Sequence, residues 1–334
     1  MIPNTDHPAD DRPALSVVIV AYNEEAYIRE CIESVVTASR DLVDFEILLV
    51  DSNSTDMTVD IASEYPITIL RITNDELTTP GAGRYVGMQA ASGELLLFVD
   101  GDMVLQRPWL ERAIMLLRAE NRTVAVDGHL NGPARRNDVI DVDAVRGAAL
   151  YDGDPLRSIG GFDPYLKSLA DVHLGYQLIE AGYRLRRLPE MAASHPTDQS
   201  LMEPLRQWRH GYMLGAGQAL RKSVGSIDLF RKHLSRVRYR IGLFAWLCLG
   251  LVVLVSPTLF AGWVSLSGIG GGYLISQHGL EESVTGLLSK LLGIAGLFGG
   301  FVLTPKPSAE FPLTTVETLQ LGTIQHERPP EIVE

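Results

Sequence analysis

Leu95-Leu-Leu-Phe-Val-Asp-Gly-Asp102 runs through five apolar residues and stops on two carboxylates set two apart. A continuously apolar run of this length has no polar face to give to water, which predicts a strand covered on both sides. Upstream, Leu15-Ser-Val-Val-Ile-Val-Ala-Tyr22 is a β-branched run of the same kind, Glu46-Ile-Leu-Leu-Val50 ends at Asp51, and residues 67–70 give a shorter strand. Between them, Ile28, Cys31, Ile32, Val35 and Val36 recur at helical spacing. Ser54-Thr-Asp56 makes a turn that can cap a helix running toward Glu64, with Asp56 read as the cap. Residues 82–91 read as a helix closed by Gly93, and a further strand is expected near residues 183–188. Strands alternating with helices predict an α/β fold with a parallel, Rossmann-like sheet covered on both faces. Ligands of such sheets sit beyond the carboxyl ends of the strands. The polar residues gather there, at Tyr22 to Glu24, Asp51 to Ser54 and Asp100 to Asp102.

The 334-residue chain is 46% hydrophobic and carries a net charge of −12. From Arg221 to Arg240, seven basic side chains stand against one acid, a local charge of about +6, so the remainder holds about −18. An acidic body argues against a nucleic-acid partner, because phosphate binding needs basic surface. The basic run suits an anionic membrane face. Residues 241–264 hold no charged residue over 24 positions, against the ~20 needed to cross a bilayer. Pro257 is expected as a kink in that span. Residues 284–304, with Lys290 and several glycines, are a weaker second span. The basic residues before Ile241 put that side in the cytoplasm, and two spans would return the chain there. The first residues contain no apolar stretch of signal-peptide type, so the N-terminal domain is expected to be cytoplasmic, attached to the cell membrane. Cys31 and Cys248 are expected as two buried thiols, not a disulfide. The expected organisation is a disordered tail (1–14), a catalytic domain (15–220), a basic interface segment (221–240), one or two transmembrane helices (241–304) and a polar tail (305–334).

Val99-Asp100-Gly-Asp102 is the strongest chemical feature. Hard divalent cations take carboxylate oxygens, and a metal on a diphosphate neutralises a leaving group. Asp-x-Asp alone is common in turns; its place after an apolar strand gives it weight. Asp51, also at a strand end, is suited to hydrogen bonds from a base or ribose. Gly160-Gly-Phe-Asp163 and Leu169-Ala-Asp171 lead into a helix. Asp171 reads either as a helix cap or as a base for an acceptor hydroxyl. His195 stands in a loop after a strand, and Arg84 is either a solvated helix charge or a diphosphate contact.

In chain order, Ser16-Val-Val-Ile-Val-Ala-Tyr-Asn-Glu-Glu25, Leu49-Val-Asp51 with Ser54-Thr-Asp56, Arg84 with Gly87 and Ala91-Ser-Gly-Glu94, Phe98-Val-Asp-Gly-Asp102, Gly160-Gly-Phe-Asp163 and Ala170-Asp171 resemble the inverting glycosyltransferases of family 2, which have the GT-A fold. The resemblance covers roughly residues 15–215. It implies a nucleotide-sugar donor and a divalent cation, magnesium or manganese. Carried onto this chain, it implies that Ala21, Tyr22, Glu24 and Asp51 contact the nucleoside and that Asp100 sits near the ribose. It places Arg84 near the donor phosphates or sugar, Asp102 on metal and diphosphate, Asp171 as catalytic base and His195 at the metal. Two departures stand out. The acid that usually precedes the base is Ala170 here, and Arg206-Gln-Trp-Arg209 comes close to the Gln-x-x-Arg-Trp of processive synthases without matching it. With one or two spans, transfer of one sugar at a time is expected, to a membrane-associated acceptor such as a polyprenyl phosphate or lipid-linked oligosaccharide. The rival expectations are a sugar nucleotidyltransferase, which wants a Gly-rich basic loop where Tyr22-Asn-Glu-Glu stands, and a non-catalytic membrane scaffold.

Overall fold

The computed structural model describes residues 12–135, 137–196 and 202–326. The tail expected at 1–14 lies almost wholly outside the described residues, as does the chain after 326. Two compact units form: residues up to 166, 170–196 and from 306 onward make the first, and 167–169 with 197–305 the second.

In the first unit, β1 (Leu15–Ala21), α1 (Ile28–Ser39), β2 (Phe45–Asp51), α2 (Thr58–Ala62), β3 (Thr68–Ile72), α3 (Pro80–Ala90) and β4 (Leu95–Asp100) follow the alternation read from the sequence. After them come β5 (Val104–Leu105), α4 (Arg107–Ala119), β6 (Thr123–Leu130), β7 (Ile140–Asp141), β8 (Ala149–Asp152), α5 (Gly153–Ser158), α6 (Ala170–Glu180), β9 (Arg184–Ser194) and, from far down the chain, β10 (Val316–Gln320). The sheet order is β10-β3-β2-β1-β4-β8-β6-β9-β5, with β7 on β9. From β3 to β4 the strands are parallel, and the register pairs Ala21 with Asp51 and Val20 with Asp100. Three strand ends therefore finish level, which puts the expected polar residues along one line.

Two expectations need correction. The sheet is mixed, because β8 runs antiparallel to both β4 and β6. Parallel return needs a long crossover, usually a helix; β8 arrives through the irregular stretch 131–148 and is free to enter reversed. The segment read as a polar tail supplies an edge strand: β10 pairs antiparallel with β3, Val316 opposite Ile72, and the Gln325 amide donates to Phe45 O at 2.7 Å. Its sequence hid this, since only Val316 of Val-Glu-Thr-Leu-Gln is buried.

The core is formed by the inward faces of β1, β2 and β4 with α1 and α4, where Leu15, Ile19, Ile32, Leu49, Leu97 and Trp109 have no exposed surface. On the other face, α3 lies very close to β1. A Cβ at Gly83 would stand 2.5 Å from Val20 Cγ1, so only glycine lets this helix approach.

The second unit holds α7 (Glu203–Arg209), α8 (Gly215–Lys222), α9 (Ile227–Val253), α10 (Pro257–His278) and α11 (Leu280–Val302). Ser226 caps α9, accepting from the Leu229 amide at 3.2 Å. The continuous span expected over 241–264 is broken at residues 254–256. Pro257 opens a new helix there instead of kinking an old one, at the first-turn position where its missing N–H costs nothing. Trp246 and Trp263 stack across the break at 5.8 Å, and Trp263 Nε1 donates to Trp246 O at 3.0 Å. Gly296 and Gly300 of α11 face the backbones of Met213 and Leu214 with no room for a Cβ, the small-xxx-small device of close helix approach. α10 and α11, of 22 and 23 residues with mean hydropathy 1.3 and 1.5, are long and apolar enough to cross a membrane. No residue of α10 is buried by the rest of the chain. Both cysteines are free thiols, Cys31 buried and Cys248 only half-buried.

Candidate active site

The site is built where β1, β2 and β4 end. Residues 22–25 and 52–58 are knitted together by short polar side chains. The Asn23 amide donates to Ser54 Oγ at 2.9 Å, the Glu24 amide to Thr58 Oγ1 at 2.7 Å, and the Thr55 amide to Asn23 Oδ1 at 2.9 Å. Asn23 adopts φ +56°, a left-handed turn that asparagine tolerates better than most residues. Asp56 stands one residue before the N-cap position, Met57, and accepts from the Thr58 and Glu25 amides. Tyr22 is left 48% exposed over this rim. Asp51 is placed differently from its neighbours. Its carboxylate is fully buried, pairs with Arg71 Nε at 2.7 Å and accepts from the Ser54 amide. Arg71, on β3, carried no signal in the sequence that tied it to Asp51.

Asp100 and Asp102 have separate partners. Arg84 on α3 reaches Asp100 Oδ1 at 2.5 Å and is otherwise almost enclosed. Burial alone would lower the Arg84 pKa, but Asp100 and then Asp171 outweigh it and hold the guanidinium charged. His195 Nε2 lies 3.2 Å from Asp102 Oδ2. Antiparallel pairing explains how a residue 93 positions on reaches the acid: Ser194 of β9 sits opposite Val104 of β5, and Asn131 Oδ1 accepts from the His195 amide at 2.7 Å. The two-residue β5 and Asn131 could not be found from the pattern.

The acids strain each other electrostatically. Burial, then Asp102 and Asp100, push Glu24 up to about 7. Asp102 is also raised, by burial first and by Asp100, with His195 opposing. Asp102 Oδ1 is buried without any hydrogen-bond partner. A buried carboxylate oxygen with no donor, next to an imidazole nitrogen and two further acids, suits a divalent cation. Among the described residues no cluster of three or more His, Cys, Asp and Glu side chains closes round one point. The Asp102–His195 pair stands alone there, 3.2 Å apart, with no third such side chain closing on the same point.

Asp171 stands in the first turn of α6, half-exposed. No hydrogen bond holds its carboxylate among the described residues, so it does not cap its own helix. The loop before it is fixed from both sides. Phe162 packs edge-on against Phe98 at 4.8 Å and Tyr151 at 5.7 Å, and Thr79 Oγ1 donates to Pro164 O at 2.9 Å. The Gly160-Gly-Phe-Asp163 motif is therefore an anchor for the loop, its glycines at φ +86° and +69°. Ala170 packs close to α3 at this position: a Cβ built on Gly81 would lie 3.0 Å from the Ala170 Cβ.

Level strand ends, an acid pair after β4 and an unengaged acid at the α6 start define a glycosyltransferase domain of GT-A fold. Residues 16–143 match Glycosyl transferase family 2. Glycosyltransferase AglE of Haloferax volcanii is 28% identical over 205 residues, 55% of this chain and 67% of that protein. Putative glycosyltransferase EpsH of Bacillus subtilis is 34% identical over 106 residues, 31% of this chain and 30% of that one. The chain thus spans two thirds of the first relative and under a third of the second. Among solved structures, the mannosyltransferase PcManGT of Pyrobaculum calidifontis, in complex with GDP-Man and Mn2+, superposes with a TM-score of 0.66 at 18% identity, covering 90% of this chain and 89% of that one. Residues 1–349 of S. aureus TarS, in complex with UDP-GlcNAc, give 0.52 at 19% identity, over 86% and 90%. At these identities the structures share the fold.

Proposed function

We propose that this protein transfers a single sugar, with inversion, from a nucleoside-diphosphate sugar to a membrane-associated acceptor on the cytoplasmic face of the cell membrane. The observation that carries the reading is the orphaned Asp102 oxygen beside His195, with an uncapped Asp171 close enough to act on the charge of Arg84. The nucleoside would lie over the rim of Ala21, Tyr22 and Glu24, with Asp51 behind it, ordering the 52–54 turn through the Ser54 amide while Arg71 pairs with its carboxylate. Asp100 would face the ribose and Arg84 the phosphates. That two fold neighbours were solved with GDP-Man and with UDP-GlcNAc supports a donor of this class.

Asp102 and His195 would hold a divalent cation, magnesium or manganese, which when bound neutralises the leaving nucleoside diphosphate. Asp171 takes the proton of the acceptor hydroxyl as its oxygen attacks the anomeric carbon from the side opposite the leaving group. One displacement inverts that carbon. Arg84, held charged in a nearly closed site, adds a fixed positive charge where the diphosphate departs.

The membrane part supports a lipid-borne acceptor, a polyprenyl phosphate or lipid-linked oligosaccharide. β10 shares a sheet with β3, which supports a topology with the chain before and after the helices on one side of a bilayer. The number of crossings is then even. The apolar part of α9, residues 241–253, rises only ~20 Å, short of the ~30 Å hydrocarbon core. That leaves α10 and α11 as the crossings, with the basic start of α9 at the anionic headgroups. The test is a thermal-shift screen with nucleoside diphosphates and Mn2+, followed by transfer in detergent to a lipid-linked oligosaccharide, which offers a hydroxyl, and to polyprenyl phosphate, with the anomer read by NMR. No response to any nucleoside diphosphate, or a retained anomer, would overturn the reading.

A further inference from the structure

The segment that returns from α11 does more than reach the sheet edge. Phe311, 4% exposed, lies between two tyrosines from separate parts of the first unit. Its ring centre is 5.7 Å from Tyr85 at 64° and 5.9 Å from Tyr165 at 57°. Tyr85 follows Arg84 on α3. Tyr165 stands on the loop that ends in Asp171, its amide donating to Asp163 Oδ1 at 2.9 Å. Lys306 Nζ covers the other side of that ring, 5.6 Å from its centre.

We propose that Phe311 is a positioning residue for the transfer, a wedge that sets the distance between the helix carrying Arg84 and the loop carrying Asp171; this rests on the glycosyltransferase reading above. The two elements already meet at one end, where a Cβ on Gly81 would stand 2.5 Å from Asp163 O. That contact is a pivot. One turn along α3, Tyr85 and Tyr165 do not stack on each other, and the Phe311 ring fills the gap between them. Without it the pivot alone would not fix the angle between helix and loop. Arg84 has its own anchors, Asp100 at 2.5 Å and Pro80 O at 3.3 Å. Asp171 has no hydrogen bond of its own, so the base side should move and the donor side should stay. Edge-to-face aromatic contacts suit this part, since they are directional as well as apolar.

The experiment uses the full-length protein in nanodiscs and three variants: Phe311→Ala, Phe311→Leu and Val316→Ala. Val316, 2% exposed in β10, reports on loss of the edge strand's packing alone. Amide hydrogen exchange is followed at residues 79–86 and 163–172, and kcat and donor KM are measured at a temperature where all four proteins are folded. Phe311→Ala should raise exchange at residues 163–172, with residues 79–86 little changed, and lower kcat ~10-fold or more, the scale on which small misplacements act. Donor KM should stay within about threefold, and Phe311→Leu, which keeps bulk but not the flat ring, should show a smaller part of both changes. Exchange and kcat equal to those of Val316→Ala would overturn the wedge. If no sugar is transferred even by the unchanged protein, the enzymatic reading fails, while the exchange data still decide whether Phe311 holds helix to loop. Should Phe311→Ala not fold, Phe311→Leu decides alone: exchange unchanged from wild type at residues 163–172 counts against the wedge.

Discussion

His195 Nε2 stands 3.2 Å from Asp102 Oδ2, while the other oxygen of the same carboxylate is buried with no partner. One oxygen oriented and one left open fits the divalent-cation role proposed for Asp102. Asp102→Ala should therefore abolish the thermal shift that Mn2+ adds to nucleoside-diphosphate binding, and excess chelator should stop transfer. His195→Ala should weaken Mn2+ binding ~10-fold or more, on the scale of a lost supporting group, while the protein stays folded. Full transfer in chelator would remove the metal from the reaction.

Glu24 makes a prediction about pH. Its folded pKa, about 7, lies above the ordinary 4.5, so the folded state binds this proton more tightly than the unfolded chain. Between these values the unfolded Glu is ionised while the folded one keeps its proton, and stability falls as pH rises through that window. Glu24→Gln removes the effect. In chelator, the melting temperature of Glu24→Gln minus that of wild type should grow from pH 4.5 to 7 and then level off. A constant difference would show that neither burial nor the neighbouring acids raise the Glu24 pKa in the folded protein.

Asp171→Asn separates catalysis from folding. With no hydrogen bond of its own to lose, Asp171 should be replaced without a change in melting temperature or donor affinity. Turnover should drop by ~10²–10⁴, the usual cost of removing a general base. Near-normal turnover would point to an acceptor that arrives already ionised, such as a phosphate oxygen.

The crossings can be placed by cysteine labelling. Single cysteines at Gly279, between α10 and α11, should react with an impermeant maleimide from outside. Cysteines at Thr323, beyond β10, should react only after the membrane is opened. Labelling of both sites from the same side would contradict two crossings.

Much of the first unit could be read from the chain because its signals are local. Each of β1, β2 and β4 is an unbroken apolar run ending on its own polar residue, so Tyr22, Asp51, Asp100 and Asp102 could be found one strand at a time. What escaped depends on partners far away in sequence. β8 could not be seen as reversed, because direction is set by the connection and not by the strand. β10 has one buried residue in five, and its pairing with residues some 250 positions earlier leaves no periodicity. Arg71 looks like any strand-edge arginine until Asp51 is set beside it. The break at 254–256 was hidden for another reason: an apolar composition reads the same whether one helix or two carry it.

The late pairing of β10 also orders events in time. Thr73 bonds to Thr315 across 242 positions, a separation that takes roughly 12 to 48 seconds to synthesise at ~5–20 residues per second. Through that interval the edge of β3 has no neighbour, and an open strand edge is a template for unwanted pairing. α10 and α11 are made within the same interval, ahead of the strand that closes the sheet. A ribosome that stalls after α11 would therefore leave the catalytic sheet unsealed, and maturation of the enzyme has to wait until both long apolar helices have been made.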